Sequence, residues 1–179
     1  MRIISGIQGG RKILPPANMP YTRPTTDIAK EGLFNILQNN LEIESLKTLD
    51  LFGGTGCISY ELASRGAKEL TIVEKDNKMY DFIKNTAEAL QFKNIHLLKG
   101  DVFKYIETCN KTFDFIFAGP PYALTTIDDL PKIIFERNLL NKGGWFVLEH
   151  TPRNDYKKYL HYRTERNYGT TIFSIFIQE

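Results

Sequence analysis

Residues 48–59 read Thr48-Leu49-Asp50-Leu51-Phe52-Gly53-Gly54-Thr55-Gly56-Cys57-Ile58-Ser59, and this stretch decides the fold. Leu46, Leu49 and Leu51 announce a buried strand that ends near Phe52. Gly53, Gly54 and Gly56 then make a turn at which backbone can come close to a ligand. From Cys57 the pattern becomes helical: Ile58, Leu62 and Ala63 share a face, and Gly66 stops it. Strand, glycine turn and helix form the nucleotide-binding opening of a doubly wound α/β fold.

Two details bear on the ligand. A pyrophosphate fingerprint G-x-G-x-x-G starting at Gly54 requires a third glycine where this chain has Ser59. Asp50 puts an anion at the mouth of the strand, where a cationic group is a better neighbour than a phosphate. S-adenosylmethionine carries an amino group and a sulfonium and no phosphate, so an acid followed by a glycine turn suits it. Glu74 closes the next apolar run about 20 residues beyond the glycines, at the place of a ribose-binding acid. That acid serves NAD and S-adenosylmethionine equally and does not choose between them.

The 179 residues make one domain, or one domain with a short appendage, and the division expected is a basic arm over residues 1–25 and a main domain over 26–179. With 42% hydrophobic and 25% charged residues the composition is that of a globular protein with a real core. No apolar run approaches the ~20 residues that span a bilayer, and the N-terminus lacks the apolar region of a secretory signal. Cys57 and Cys109 have no metal-like spacing, which points to reduced thiols and a cytoplasmic location. His96, His150 and His161 show no ligand grouping either, and are expected to pack or face solvent. The net charge of +2 conceals an asymmetry: residues 1–26 carry Arg2, Arg11, Lys12 and Arg23 and no acid, leaving 19 basic and 21 acidic residues elsewhere. A basic arm on a near-neutral body fits a polyanionic partner, with a solvated extension as the plainer alternative.

Along the chain, Arg2-Ile3-Ile4-Ser5 and Arg11-Lys12-Ile13-Leu14 form a small hairpin across Gly6, Gly9 and Gly10. Pro15, Pro16, Pro20 and Pro24 keep the next segment extended. Thr25-Thr26-Asp27 caps a helix whose apolar face is Ile28, Leu33, Phe34, Ile36 and Leu37. Beyond the glycine turn and its helix, strands over 70–73, 95–98, 113–118 and 145–148 alternate with helices over 79–90 and 102–107 and around 128–137. The run over 113–118 is almost wholly apolar, as a central parallel strand is. Residues 164–167 and 171–177 flank Tyr168-Gly169-Thr170 as an antiparallel hairpin. The fold class is therefore α/β: a doubly wound, mostly parallel, seven-stranded Rossmann-like sheet with a C-terminal antiparallel hairpin and a short N-terminal basic hairpin arm.

Ligands of open α/β sheets sit beyond the carboxyl ends of the strands, where Asp101, Val102 and the segment Gly119-Pro120-Pro121-Tyr122 fall, together with Glu149. Asp101 can accept from an adenine amino group while Val102 packs on the ring, and Asp101 can equally serve as a helix N-cap. Pro120 and Pro121 stiffen the backbone after the central strand and remove two donors, leaving the Gly119 and Pro120 carbonyls as acceptors for a substrate amine. Tyr122 offers a ring on which an extruded base can stack. The plainer reading is a rigid turn with a packing tyrosine; the position beside the glycine turn favours the functional one. Glu149 lines the same region or is simply a buried strand-end acid.

Taken together, Arg2-Ile3-Ile4-Ser5-Gly6 with Gly10-Arg11, Thr22-Arg23-Pro24-Thr25, Lys30-Glu31-Gly32-Leu33-Phe34-Asn35-Ile36-Leu37, Asp50 to Gly56, Glu74, Gly100-Asp101, Pro120-Pro121-Tyr122 and Tyr168-Gly169-Thr170-Thr171 carry a resemblance. The chain resembles the bacterial methyltransferases that modify a guanine N2 in small-subunit (16S) ribosomal RNA, over essentially its full length. The resemblance implies S-adenosylmethionine held by Asp50, Phe52, Gly53, Gly54, Gly56, Glu74, Asp101 and Val102. It implies a target base held by Gly119, Pro120, Pro121 and Tyr122, ribosomal RNA as partner with Arg2, Arg11, Lys12 and Arg23 on phosphates, and a monomer. In one place the chain departs from the family: its motif has Asp or Asn before Pro-Pro-Tyr, and here Gly119 stands there. A non-catalytic RNA-binding or assembly protein that keeps the cofactor pocket is the alternative which that departure leaves open.

Overall fold

Leu49, Leu51 and their neighbours build β1 (Lys47–Leu51), buried along all but its first residue, at the middle of the sheet. The computed structural model describes residues 1–19 and 24–179. From β1 the chain runs through α2 (Cys57–Ser64), β2 (Glu69–Glu74), α3 (Asn77–Ala89) and β3 (Ile95–Lys99), each strand added in parallel on one side. It then returns through α4 (Val102–Thr108) to β4 (Phe113–Ala118) on the other side of β1, and continues by α5 (Asp129–Glu136) to β5 (Leu140–His150). A closing hairpin, β6 (Tyr162–Tyr168) and β7 (Thr171–Ile177), lies antiparallel beside β5, and the sheet order is β3-β2-β1-β4-β5-β7-β6. This is the doubly wound seven-stranded sheet that the alternation of elements announced. Its direction of winding reverses between β1 and β4, which opens a crevice at their carboxyl ends.

The period-2 pleat of β4 divides the core. Phe115 and Phe117 face the layer formed by α2, α3 and the helix α1 (Asp27–Asn40); Ile116 and Ala118 face the layer that includes Leu130 and Ile134 of α5 and Ile106 of α4. Both faces of the sheet are covered, which is why β4 reads as an unbroken apolar run.

Two expectations need correction. Ile28 is not on the inner face of α1: it is 75% exposed, and the buried stripe is Ala29, Lys30, Leu33, Phe34 and Leu37. At about 100° per residue that stripe is centred between Ala29 and Lys30, and Ile28 lies on the far side of Ala29, nearly opposite the centre. Lys30 is buried because its ammonium finds acceptors: Glu61 Oε2 at 3.4 Å and the Arg2 carbonyl. β5 also begins five residues before Trp145, through Gly143 and Gly144, where it exchanges hydrogen bonds with Gln178 and where its register with β4 shifts. Glycines and polar residues there give no alternating pattern to read.

The N-terminal arm folds back through one antiparallel bridge, Arg2 to Lys12, rather than as paired strands. It is packed down: Ile3 and Ile13 are buried in the same layer as α1 and α2. Glu61 of α2 accepts from the backbone N–H of Ile4 at 2.8 Å and of Ser5 at 3.0 Å, and Ser64 accepts from Ile7 and Gln8. Gly6 is needed here, since a Cβ would lie 1.9 Å from the Ser64 carbonyl oxygen.

Candidate active site

The crevice at the β1/β4 reversal is a cleft of about 960 Å³, near the upper end of the size usual for ligand sites. Asp50, the residue before the end of β1, is 3% exposed and aims its carboxylate at the cleft wall. Ser59, one turn into α2, donates to Asp50 Oδ2 at 2.7 Å. The residue that spoils a dinucleotide fingerprint therefore orients the acid instead. Burial, reinforced by the charges of Glu74 and Glu149, pushes the Asp50 carboxyl up to about 7 in spite of the Ser59 bond.

The glycine turn follows with positive φ at three alternate residues: Phe52 at 62°, Gly54 at 57° and Gly56 at 78°. At Gly56 a Cβ would also strike the Tyr60 ring at 2.4 Å, so glycine alone fits. Glu74, the last residue of β2, accepts from the Gly54 N–H at 2.7 Å and from the Asp76 N–H at 2.8 Å. It thereby ties the glycine turn to the start of α3, and burial holds its carboxyl above the usual range. Asp101 caps α4 by accepting from Lys104 at 3.2 Å and faces Lys75 at 3.6 Å; Val102 and Phe103 behind it give the cleft an apolar wall.

The opposite wall is the segment after β4. Gly119 stays attached to the sheet through its N–H to the Leu51 carbonyl, and Pro120 is buried. Tyr122 hydroxyl donates to Glu149 Oε1 at 3.1 Å, while Thr25 Oγ1 donates to Glu149 Oε2 at 2.7 Å. Glu149, next to the end of β5, is 4% exposed, and its carboxyl too is raised by burial.

Of the residues assigned to the cofactor and the target base, all but Gly56 line one cleft, Val102 and Asp101 included; Gly56 shapes the turn behind it without reaching the wall. Arg2, Arg11 and Lys12 do not: Arg2 lies 3.8 Å from Asp27, and Arg11 and Lys12 are exposed on the arm. Arg23 lies outside the described residues. The sequence reading passed over Phe103, Asp76 and Met19 as cleft residues and saw Thr25 only as part of a helix cap and a shared motif. Phe103 follows Val102 at a strand end and was accessible to the same argument; Met19 had no signal.

A family model described as conserved hypothetical protein 95 matches residues 1–177. The ribosomal RNA small subunit methyltransferase D of Buchnera aphidicola subsp. Baizongia pistaciae is 30% identical over 149 residues, covering 83% of this chain and 75% of that one. Its namesake in Escherichia coli K12 is 32% identical over 150 residues, covering 83% and 71%. The chain belongs to this family. Among solved structures, the Thermus thermophilus 16S rRNA N2 G1207 methyltransferase in complex with AdoMet and guanosine superposes with a TM-score of 0.68 at 24% identity, over 87% of this chain and 44% of that one. The two chains thus share the doubly wound, Rossmann-like fold.

The residues of the cleft fit S-adenosylmethionine. Among the described residues, Asp50, Glu74, Asp76, Asp101 and Glu149 line it against a single basic side chain, Lys75. Such a lining repels a pyrophosphate and attracts an ammonium and a sulfonium. Glu74 and Asp101 retain acceptor sites for hydroxyl and amino donors after their backbone bonds are counted.

Proposed function

We propose that this protein transfers the methyl group of S-adenosylmethionine to the exocyclic N2 of a guanine in small-subunit (16S) ribosomal RNA. One observation carries the reading: the acid-led glycine turn and the proline-stiffened corner with Tyr122 face each other across a single cleft. In this reading Asp50 holds the amino group of the cofactor, Glu74 its ribose hydroxyls, and Asp101 with Val102 and Phe103 its adenine. When bound, S-adenosylmethionine supplies an electrophilic methyl on a sulfonium.

The chain's own residues then have three tasks. Tyr122 presents its ring to the target base, which must leave its stack to enter the cleft, so an unpaired or loop nucleotide is the substrate. The hydrogen bond from Tyr122 to Glu149 fixes that ring, and Glu149 in turn is held by Thr25. The Gly119 and Pro120 carbonyls accept from the amine and direct its lone pair; orientation of this kind is worth on the order of 10²-fold per contact. Arg2, Arg11, Lys12 and Arg23 contact phosphates outside the cleft and set the register of the RNA without reading its sequence. The enzyme acts as a monomer in this reading, and in the cytoplasm, where its ribosomal RNA substrate is.

The test supplies purified protein and labelled S-adenosylmethionine to small ribosomal subunits lacking methylguanosine modification, followed by mass spectrometry of the nucleosides. N2-methylguanosine formed over several turnovers supports the reading. Normal cofactor binding with no methyl transferred would instead identify an RNA-binding or assembly protein.

A further inference from the structure

Gly119 leaves the proline corner without a side chain, and the neighbouring strand fills the space. The parallel register of β4 and β5 pairs Ala118 with Leu148, which sets Gly119 beside Glu149. A Cβ on Gly119 would lie 3.7 Å from Glu149 Oε2 and 3.1 Å from Phe117 Cε1. A carboxylate therefore already stands where a longer side chain at 119 would reach, delivered from β5. It is 4% exposed and lines the cleft, and among the described residues its hydrogen-bond donors are two hydroxyls, those of Thr25 and Tyr122. No cationic side chain among the described residues neutralises it. A carboxylate has about four lone-pair sites, so two remain for another donor. A buried acid held by two hydroxyl donors with acceptor capacity left over is suited to bind an N–H of a ligand.

We propose that Glu149 is the catalytic acceptor for one N–H of the exocyclic amine of the target guanine, the other going to a carbonyl of the proline corner, and that it takes the place that Gly119 leaves without a side chain. This rests on the reading of the cleft as a guanine-N2 methyltransferase site. The amine is conjugated with its ring, so its lone pair is spread into the π system. An N–H held by the Glu149 carboxylate turns the nitrogen so that this pair points at the methyl carbon. As the N–C bond forms, the C–S bond breaks and its electron pair stays on sulfur, giving the neutral thioether S-adenosylhomocysteine. The positive charge passes to nitrogen, which releases one proton to the Glu149 carboxylate, and from there the proton leaves to water. Electrostatic stabilisation of the cationic nitrogen by the adjacent carboxylate acts in the same direction.

The experiment compares wild-type protein with Glu149→Gln, Glu149→Ala, Gly119→Asp and the double variant Gly119→Asp/Glu149→Ala, using undermethylated small subunits and labelled S-adenosylmethionine. Titration with S-adenosylhomocysteine reports folding and the cofactor half of the cleft independently of turnover. Gln keeps the shape and can still bond both hydroxyls, so Glu149→Gln is expected to lower kcat on the order of 10²-fold with S-adenosylhomocysteine affinity unchanged. Gly119→Asp alone is expected to slow transfer, because it forces a second carboxylate into the same buried corner. The double variant is expected to exceed Glu149→Ala by about tenfold, a coupling that a purely structural clamp would not produce. If wild-type protein methylates the subunits while Glu149→Gln matches its rate, or the double variant is no better than Glu149→Ala, the role of Glu149 is overturned and the reaction stands. If wild-type protein transfers no methyl to guanine N2, the reaction and the role fall together.

Discussion

Asp50 should make the cofactor-free protein less stable as pH rises. Its carboxyl is raised from 3.8 to about 7 in the folded chain, chiefly by burial. The folded state therefore binds a proton more tightly than the unfolded state, and stability falls as pH rises from the unfolded value to the folded one. The full displacement corresponds to about 4 kcal/mol, of which about 2 kcal/mol develops between about pH 5.5 and about pH 8. For a domain of this size that is about 4–8 °C in Tm. Asp50→Asn removes the charge and keeps an oxygen for the Ser59 hydroxyl. Glu74 and Glu149 are raised by burial too and remain in the variant, so the difference between the two proteins isolates Asp50. Thermal unfolding without cofactor is expected to show a drop in Tm with pH that is smaller by this amount in the variant, with equal or greater stability at the alkaline end. Calorimetry is expected to show the opposite cost: weaker binding of S-adenosylmethionine, whose ammonium has lost its counter-charge. An unchanged pH dependence, or unchanged cofactor affinity, would refute the argument that this acid is held under strain for a cationic ligand.

Other outcomes follow from the same geometry. Tyr122→Phe keeps the ring and loses the bond to Glu149, so it should retain far more methyl transfer than Tyr122→Ala, whose lost stacking is worth about 1–3 kcal/mol; equal losses in steady-state kinetics would argue against a stacking role. Glu74→Ala removes the acceptor for the Gly54 and Asp76 N–H groups, and isothermal titration should show cofactor affinity lowered about 10-fold or more. Lys30→Ala removes one of the two cations on buried Glu61 and leaves Arg65 at 2.9 Å; it should cost about 1–3 kcal/mol, with earlier proteolysis of the N-terminal arm as its signature. Replacing Arg11 and Lys12, exposed on the arm, by Ala should weaken RNA binding regardless of sequence, and each lost phosphate contact should flatten the plot of log affinity against log salt by about one unit.

Much of this was legible in the chain itself. The strand, glycine turn and helix over residues 48–59, the alternation that follows and the closing hairpin at Gly169 all rest on neighbours within a few residues, where periodicity and turn chemistry act. The cofactor acids and the proline corner were readable for the same reason, since each sits at a recognisable strand end. Ile28 misled because a helix face is settled to within one residue only by what packs against it: Lys30 is buried because Glu61 is there to receive it. Ser59 could be seen as a missing glycine, and only the folded chain made it the donor that orients Asp50.

The sequence by itself determined the kinds of element, their order and the chemistry available at the strand ends, because those depend on local backbone preference and hydrophobic period. Tertiary structure alone decided which side chains meet. Thr25 and Glu149 are 124 positions apart, and Gly119 lies beside Glu149 only through the register of β4 on β5. Such contacts are fixed by sheet order and register, which arise from the packing of the whole core and leave no mark in any short run of residues.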